Sequence, residues 1–137
     1  MTRAELVALL RDLKFAVEAT VHDDGRPQAA TIGVAVTDEL ELVFDTVMTT
    51  RKWANLRRDP RIALTWWRRD LTVQLEGVAD EPTGDELERL RACYVAAFPG
   101  GVARAAWPTI AYFRVRPTWI RVSDFAQDPP VIELVAA

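Results

Sequence analysis

The feature that most narrows the fold is a change of hydrophobic period at Lys14. Before it, Leu6, Leu9, Leu10 and Leu13 recur at helical intervals behind Thr2 and Glu5, whose spacing is that of a capping box, so an amphipathic helix is predicted over residues 3–13. After it the period is two. FAVEATVHDDGRPQAATIGVAV (residues 15–36) reads as two β-rich runs around Asp24-Gly25, a dipeptide that tolerates the positive φ angles of tight hairpin turns. Short turns between strands imply antiparallel pairing, and the pattern continues. A turn at Thr37-Asp38-Glu39 leads into a third strand, LELVFD; RIALTWW and LTVQLEGVAD form another hairpin through Arg69-Asp70; TIAYFRVRPTWIRVSD supplies one long strand or two short ones broken near Pro117.

Helices fall at the edges and crossovers. Thr49 or Thr50 caps a short helix that turns Trp53 and Leu56 inward and ends at Asp59-Pro60. Thr83 and Glu86 make a second capping box, opening a helix that carries Leu87, Leu90, Tyr94 and Phe98 and stops before Pro99-Gly100-Gly101. The expected fold is mainly β with peripheral helices, about six antiparallel strands closing as a small barrel. Such a barrel has a filled interior, so a sizeable ligand sits outside it, against something else such as a second copy of the chain.

The 137 residues are expected to form one domain, residues 1–137, and a hydrophobic share of 50% with no biased or repeated segment excludes disordered and solenoid classes. No apolar run approaches the roughly 20 residues of a membrane span, and MTRAELVALLRDLK carries acids and no cleavage-like site, so a cytoplasmic location without a membrane partner is expected. The single cysteine, Cys93, reads as a core thiol, and the single histidine, His22, as a surface turn residue. Neither a metal centre nor a Ser-His-Asp or Cys-His arrangement is expected from such a set.

Net charge is −3, which argues against a protein that coats nucleic acid, yet seven of the 17 basic residues (Arg51, Lys52, Arg57, Arg58, Arg61, Arg68, Arg69) lie between Arg51 and Arg69 with one acid, Asp59. An anionic ligand is expected there. A strand feeding a helix whose first turn reads Thr49-Thr50-Arg51-Lys52 places unpaired amides and hydroxyls at the positive end of a helix dipole. Arg51 grips two oxygens through its planar fork while Lys52 adds a point charge, a combination suited to a terminal phosphate monoester.

ATVHDDGRPQAATIGV, LELVFDTVMTTRKWANLRRDPRIAL, VQLEGVAD and RVRPTWIRVSD, in that order over about residues 5 to 125, resemble the pyridoxamine 5′-phosphate oxidase-like proteins, the FMN-binding split barrels. The run T-T-R-K-x-x-N-L-R-R-D-P after a strand is the most specific element. The resemblance implies an antiparallel split barrel and a homodimer with FMN in a cleft between subunits, its phosphate held by Thr50, Arg51 and Lys52 with Thr46 close by. It also implies that Ala30, Thr31, Ile32 and Gly33 run beside the isoalloxazine, mainly through backbone groups, and that the Gln74 amide reaches the flavin. Trp119 and Arg121, two apart on a presumed strand, share a face and are placed against cofactor or substrate from the partner subunit.

With no side chain announcing itself as a nucleophile, the resemblance points to flavin-dependent redox chemistry, hydride transfer at N5 with an unspecified small-molecule substrate, in which the cofactor carries the reaction. Related split barrels also use the deazaflavin F420, whose phosphate tail suits the same basic window, and some bind heme, for which the single histidine is a poor match. Two other classes are a flavin-holding or sensing module without turnover, and single-stranded nucleic acid binding through Arg57 to Arg69 with Trp66 and Trp67. Synthesis of pyridoxal phosphate is not expected: the true oxidases carry a longer C-terminal region with a basic substrate-phosphate site and an Arg-x-His element, whereas this chain ends FAQDPPVIELVAA, and Asp45 stands where they prefer tyrosine.

Overall fold

The computed structural model describes residues 1–137 in full. Helix α1 (Arg3–Leu13) opens with both bonds of the expected box, the Thr2 amide donating to Glu5 Oε2 (2.7 Å) and the Glu5 amide to Thr2 Oγ1 (3.1 Å). It buries Leu6, Val7 and Leu10 and ends at Lys14, whose φ of 64° turns the chain into β1 (Phe15–Val21). Strand β1 pairs with β2 (Pro27–Gly33) from Phe15↔Gly33 to Val21↔Pro27, around a turn in which Gly25 takes φ 88°. That left-handed conformation carries no steric cost for glycine.

The remaining elements are β3 (Ala35–Val36), β4 (Leu42–Val47), α2 (Arg51–Arg58), β5 (Arg61–Arg68), β6 (Leu71–Asp80), α3 (Gly84–Ala97), α4 (Gly101–Ala105), β7 (Ile110–Asp124) and β8 (Val131–Leu134). Every ladder is antiparallel, in the order β2-β1-β5-β6-β7-β4-β3, with β8 added to β7. Strands β2 and β3 are the two ends of that path and also consecutive parts of one run, joined through Val34, so the sheet curls back on itself as a split barrel. Strand β2 is therefore hydrogen-bonded to β1 alone. Inside lie Phe44 and Phe113, their rings stacked at 5.5 Å, with Leu64, Trp66, Leu75 and Ile120 around them.

The structure contains eight strands where about six were expected. One expected strand is divided at Val34, whose amide leaves the β1 ladder to donate to Lys14 O (2.9 Å). The other addition, β8, follows Gln127-Asp128-Pro129-Pro130 and has every residue exposed, so no inside–outside alternation marks it. Strand β7 runs unbroken through Pro117, and its register slips opposite Glu76 and Gly77. The second capping box does not form. Thr83 is the N-cap of α3 without a side-chain bond, because Glu86 Oε2 accepts instead from Arg89 (2.8 Å) and Arg114 (2.7 Å).

Candidate functional site

The start of α2 is built as the alternation and capping rules require. Thr50 is the N-cap, its Oγ1 accepting from the Trp53 amide (3.4 Å) and lying 2.8 Å from Thr46 Oγ1 at the end of β4, so the buried Thr46 hydroxyl steadies the cap rather than facing the ligand space. In front of this helix end is a recess of about 170 Å³ lined by Glu18, Thr20, Gln28, Ala30, Arg51 and Lys52, together with Thr50 and Ala29. Of the other five cations of the basic window four are committed elsewhere, Arg57 to Glu81, Arg58 to the Val21 carbonyl, Arg61 to Asp59 and Arg68 to Asp12, and Arg69 stands in the turn between β5 and β6, outside the recess. Arg51 and Lys52 pair with no carboxylate, and they alone of the seven line the recess.

The same recess is lined by a residue the sequence reading did not single out. Glu18 lies on the inner side of β1 with Ala16 and Thr20 and is 1% exposed, and its Oε2 has no hydrogen-bond partner. Asn55, also buried, donates to Thr20 Oγ1 and Gln28 Oε1 (3.0 Å each), two of the residues that line the recess. Burial pushes the Glu18 carboxyl up from 4.5 to about 7, against the opposing charges of Lys52 and Arg51. Below about pH 4.5 the group is protonated in folded and unfolded chains alike; above about 7 it is ionised in both, and the folded state then bears the desolvation, a cost of about 3 kcal/mol at about 1.4 per unit. Glu18→Gln is therefore expected to raise the unfolding free energy of the ligand-free chain by about 2–3 kcal/mol near pH 8 and leave it unchanged near pH 4, read from urea midpoints. Equal effects at both pH values would mean the carboxyl is not desolvated.

From the recess the open edge of β2 runs past Ala30, Thr31, Ile32 and Gly33. Ile32 is only 8% exposed, its side chain belonging to the core, so its part in any site is through its backbone. Gly33 is met by the Phe98 ring, which would stand 2.8 Å from a Cβ there, so the position accepts no side chain without moving that ring. Asp45 does not crowd the recess with charge: its carboxylate accepts from Arg104 Nε (2.8 Å) and the Tyr94 hydroxyl (3.0 Å), tying β4 to α3 and α4. Burial, then the Asp45 charge, pushes the Tyr94 phenol up to about 12, which keeps it a donor.

Gln74 and Trp119 are elsewhere. They lie on the outer face of the sheet, in a shallow hollow of about 300 Å³ with Val17, Ala19 and Ala63, and Gln74 Oε1 accepts from Arg121 Nη2 (2.7 Å), whose guanidinium also sits over the Trp119 ring (5.4 Å). Because Glu18 and Thr20 point to one side of β1 and Val17 and Ala19 to the other, a single chain does not bring Gln74 and Trp119 to the recess. The sequence reading assigned Trp119 and Arg121 to the partner subunit but put Gln74 on the flavin without separating it from the phosphate residues.

The model of the family described as Pyridoxamine 5'-phosphate oxidase matches residues 2–124. The chain belongs to this family. A pyridoxine/pyridoxamine 5'-phosphate oxidase from Burkholderia lata is 34% identical over 104 residues, 74% of this chain but 47% of that protein, so the chain spans about half the length of such relatives. A heme-binding protein from Mycobacterium smegmatis superposes with TM-score 0.81 at 20% identity, over 98% of this chain and 58% of that one. An FMN-binding protein related to pyridoxamine 5'-phosphate oxidase, from Nostoc punctiforme, superposes with TM-score 0.69 at 13% identity, over 98% and 94%. These likenesses establish the split-barrel fold. Within this family member, Glu18, Gln28, Asn55 and Arg104 are the site residues that sequence reasoning missed. For Glu18 a signal existed: in FAVEATV it stands in phase with Ala16 and Thr20, on the face that the barrel buries.

Proposed function

We propose that this chain binds the phosphate of FMN in the recess before α2 and works as a flavin-dependent oxidoreductase in a homodimer. The observation that carries the reading is the pair Arg51 and Lys52, unpaired within the chain and set at the N-terminus of a helix beside an open strand edge. Two cations, the Thr50 hydroxyl and the amides of the first helical turn are a donor set that fits a phosphate monoester. When bound, FMN supplies hydride transfer at N5 to or from a small-molecule substrate. The chain's own part is to anchor the phosphate, to orient the ring along the backbone groups of β2 from Ala30 to Gly33, and to shield it with Phe98 and its neighbours. Tyr94 and Arg104, held by Asp45, fix the helices on that side.

The outer face explains the second copy. Gln74, Trp119 and Arg121 lie on the side of β1 away from the recess, so they reach a flavin there from a partner whose outer face packs on the open side of the site. Trp67, 67% exposed on the same side of β5 as Ala63 and Thr65, adds apolar area for such a contact. Ala63→Arg, a charge in the middle of the hollow, is expected to convert a dimer to a monomer by light scattering and to release the flavin. A monomeric wild type that retains flavin would overturn the shared site.

The test of the reading is the visible spectrum of the purified protein with mass spectrometry of what denaturation releases. FMN supports it. F420, whose phosphate would occupy the same seat, shifts the assignment to a deazaflavin reductase, and a heme Soret band or a colourless protein that takes up no flavin overturns it. Reduction of the bound flavin by NAD(P)H, followed by reoxidation, separates an enzyme from a storage or sensing module.

A further inference from the structure

Glu18 is out of place in a simple anion seat. A carboxylate on the wall of a recess that otherwise presents cations, hydroxyls and helix amides repels the ligand those groups attract, and inside a protein that repulsion is weakly screened. A structural role would show as a pairing, yet no donor serves Oε2, and Arg51 and Lys52 are not within ion-pairing distance of it. These two are also the only charged groups that line the recess with it: β1 contributes Thr20, β2 contributes Gln28, Ala29 and Ala30, and α2 adds Thr50 at its cap, with Asn55 bonded to Thr20. The recess that the carboxyl and the cations line together is thus the ligand's, and a phosphate filling it meets Arg51, Lys52 and Glu18 at once.

Resting on the phosphate-seat reading above, we propose that Glu18 is itself a ligand of the bound phosphate, sharing one proton with it, so that each phosphate monoester enters the seat together with a proton. Two oxyanions at hydrogen-bonding distance do not both stay ionised; one proton between them converts repulsion into a short charge-assisted bond. The proton inventory is the same whether it is drawn on the carboxyl or on the phosphate oxygen, and above the range in which the free groups lose their protons it comes from solvent. The raised affinity of the empty carboxyl for a proton, from burial, accords with this. The consequence is a specificity and a pH dependence that cations alone would not give. Phosphate monoesters lose their second proton near pH 6, and a purely cationic seat binds the resulting dianion more tightly as pH rises; the seat with Glu18 binds more weakly.

The experiment is a fluorescence-quenching titration of the protein with FMN, and with riboflavin as the phosphate-free control, from about pH 6 to 9, for wild type and Glu18→Gln. Calorimetry near pH 8 in two buffers of different ionisation enthalpy accompanies it. For wild type the FMN dissociation constant is expected to rise about tenfold per pH unit above about 7.5, with close to one proton taken up per FMN. The variant is expected to be flat or to tighten over the same range, and riboflavin to bind without pH dependence in both proteins. Parallel FMN profiles for wild type and variant, or no proton uptake by wild type, overturn the proposal while leaving the phosphate seat standing. Failure of wild type to bind FMN at any pH overturns both. Should Glu18→Gln not fold, proton uptake by wild type decides the matter alone.

Discussion

With Arg51 and Lys52 both replaced by alanine, FMN affinity is expected to fall by at least about a hundredfold while the unfolding midpoint stays within about 2 °C of wild type. Each cation is placed to make a charge-assisted hydrogen bond to phosphate worth roughly 1.5–3 kcal/mol. Losing both removes about 3–6 kcal/mol, and each 1.4 kcal/mol is tenfold in the dissociation constant. Stability is spared because neither side chain is part of the core or of an ion pair, unlike Arg114, which is buried and bonded to Glu41, Asp80 and Glu86. Riboflavin, lacking the phosphate, should bind wild type and double variant alike, which separates loss of the seat from damage to the ring site. Unchanged FMN affinity would remove the assignment of this recess.

The second large effect separates two neighbours in the sequence. Trp66→Ala is expected to cost about 3–5 kcal/mol and to lower the thermal midpoint by about 10 °C or more, whereas Trp67→Ala should cost under about 0.5 kcal/mol in the isolated chain. Trp66 is 0% exposed among Phe44, Leu64 and Leu75, and truncation leaves a cavity in the barrel, whereas Trp67 is 67% exposed on the outer face. Trp66 Nε1 has no partner, so Trp66→Phe gives up packing volume without orphaning a hydrogen-bond acceptor and should cost clearly less than Trp66→Ala. Urea unfolding of the three variants checks this. A loss at Trp67 that grows with protein concentration would report burial of that ring by a second copy, and equal losses at Trp66 and Trp67 would contradict the inside–outside assignment of β5.

Much of this architecture was legible in the chain. Asp24-Gly25 marked the first hairpin, Arg69-Asp70 the second, and Thr2 with Glu5 the first helix start, because turns and caps depend on residues adjacent in sequence and on backbone angles that few side chains permit. Thr83 and Glu86 had the same spacing and made no box, since Arg114, 28 residues downstream of Glu86, competes for the carboxylate with a full charge. Strand β8 escaped notice because a strand exposed on both faces carries no alternation to read.

What the sequence settled by itself was the family, the curled antiparallel sheet and the hydroxyl-Arg-Lys start of α2, all of which are written in neighbouring residues: period, turn and cap. What only the tertiary structure decided was which of the seven basic residues line the recess, that Gln74 and Trp119 lie on the far side of β1 from it, and that Glu18 shares it with Arg51 and Lys52. The reason is that charge pairing and desolvation act through space. Glu18 and Lys52 are far apart along the chain and are set around one recess by the curl of the sheet, and it is the burial this folding imposes on the carboxyl, acting against the nearby cations, that gives Glu18 its unusual hold on a proton.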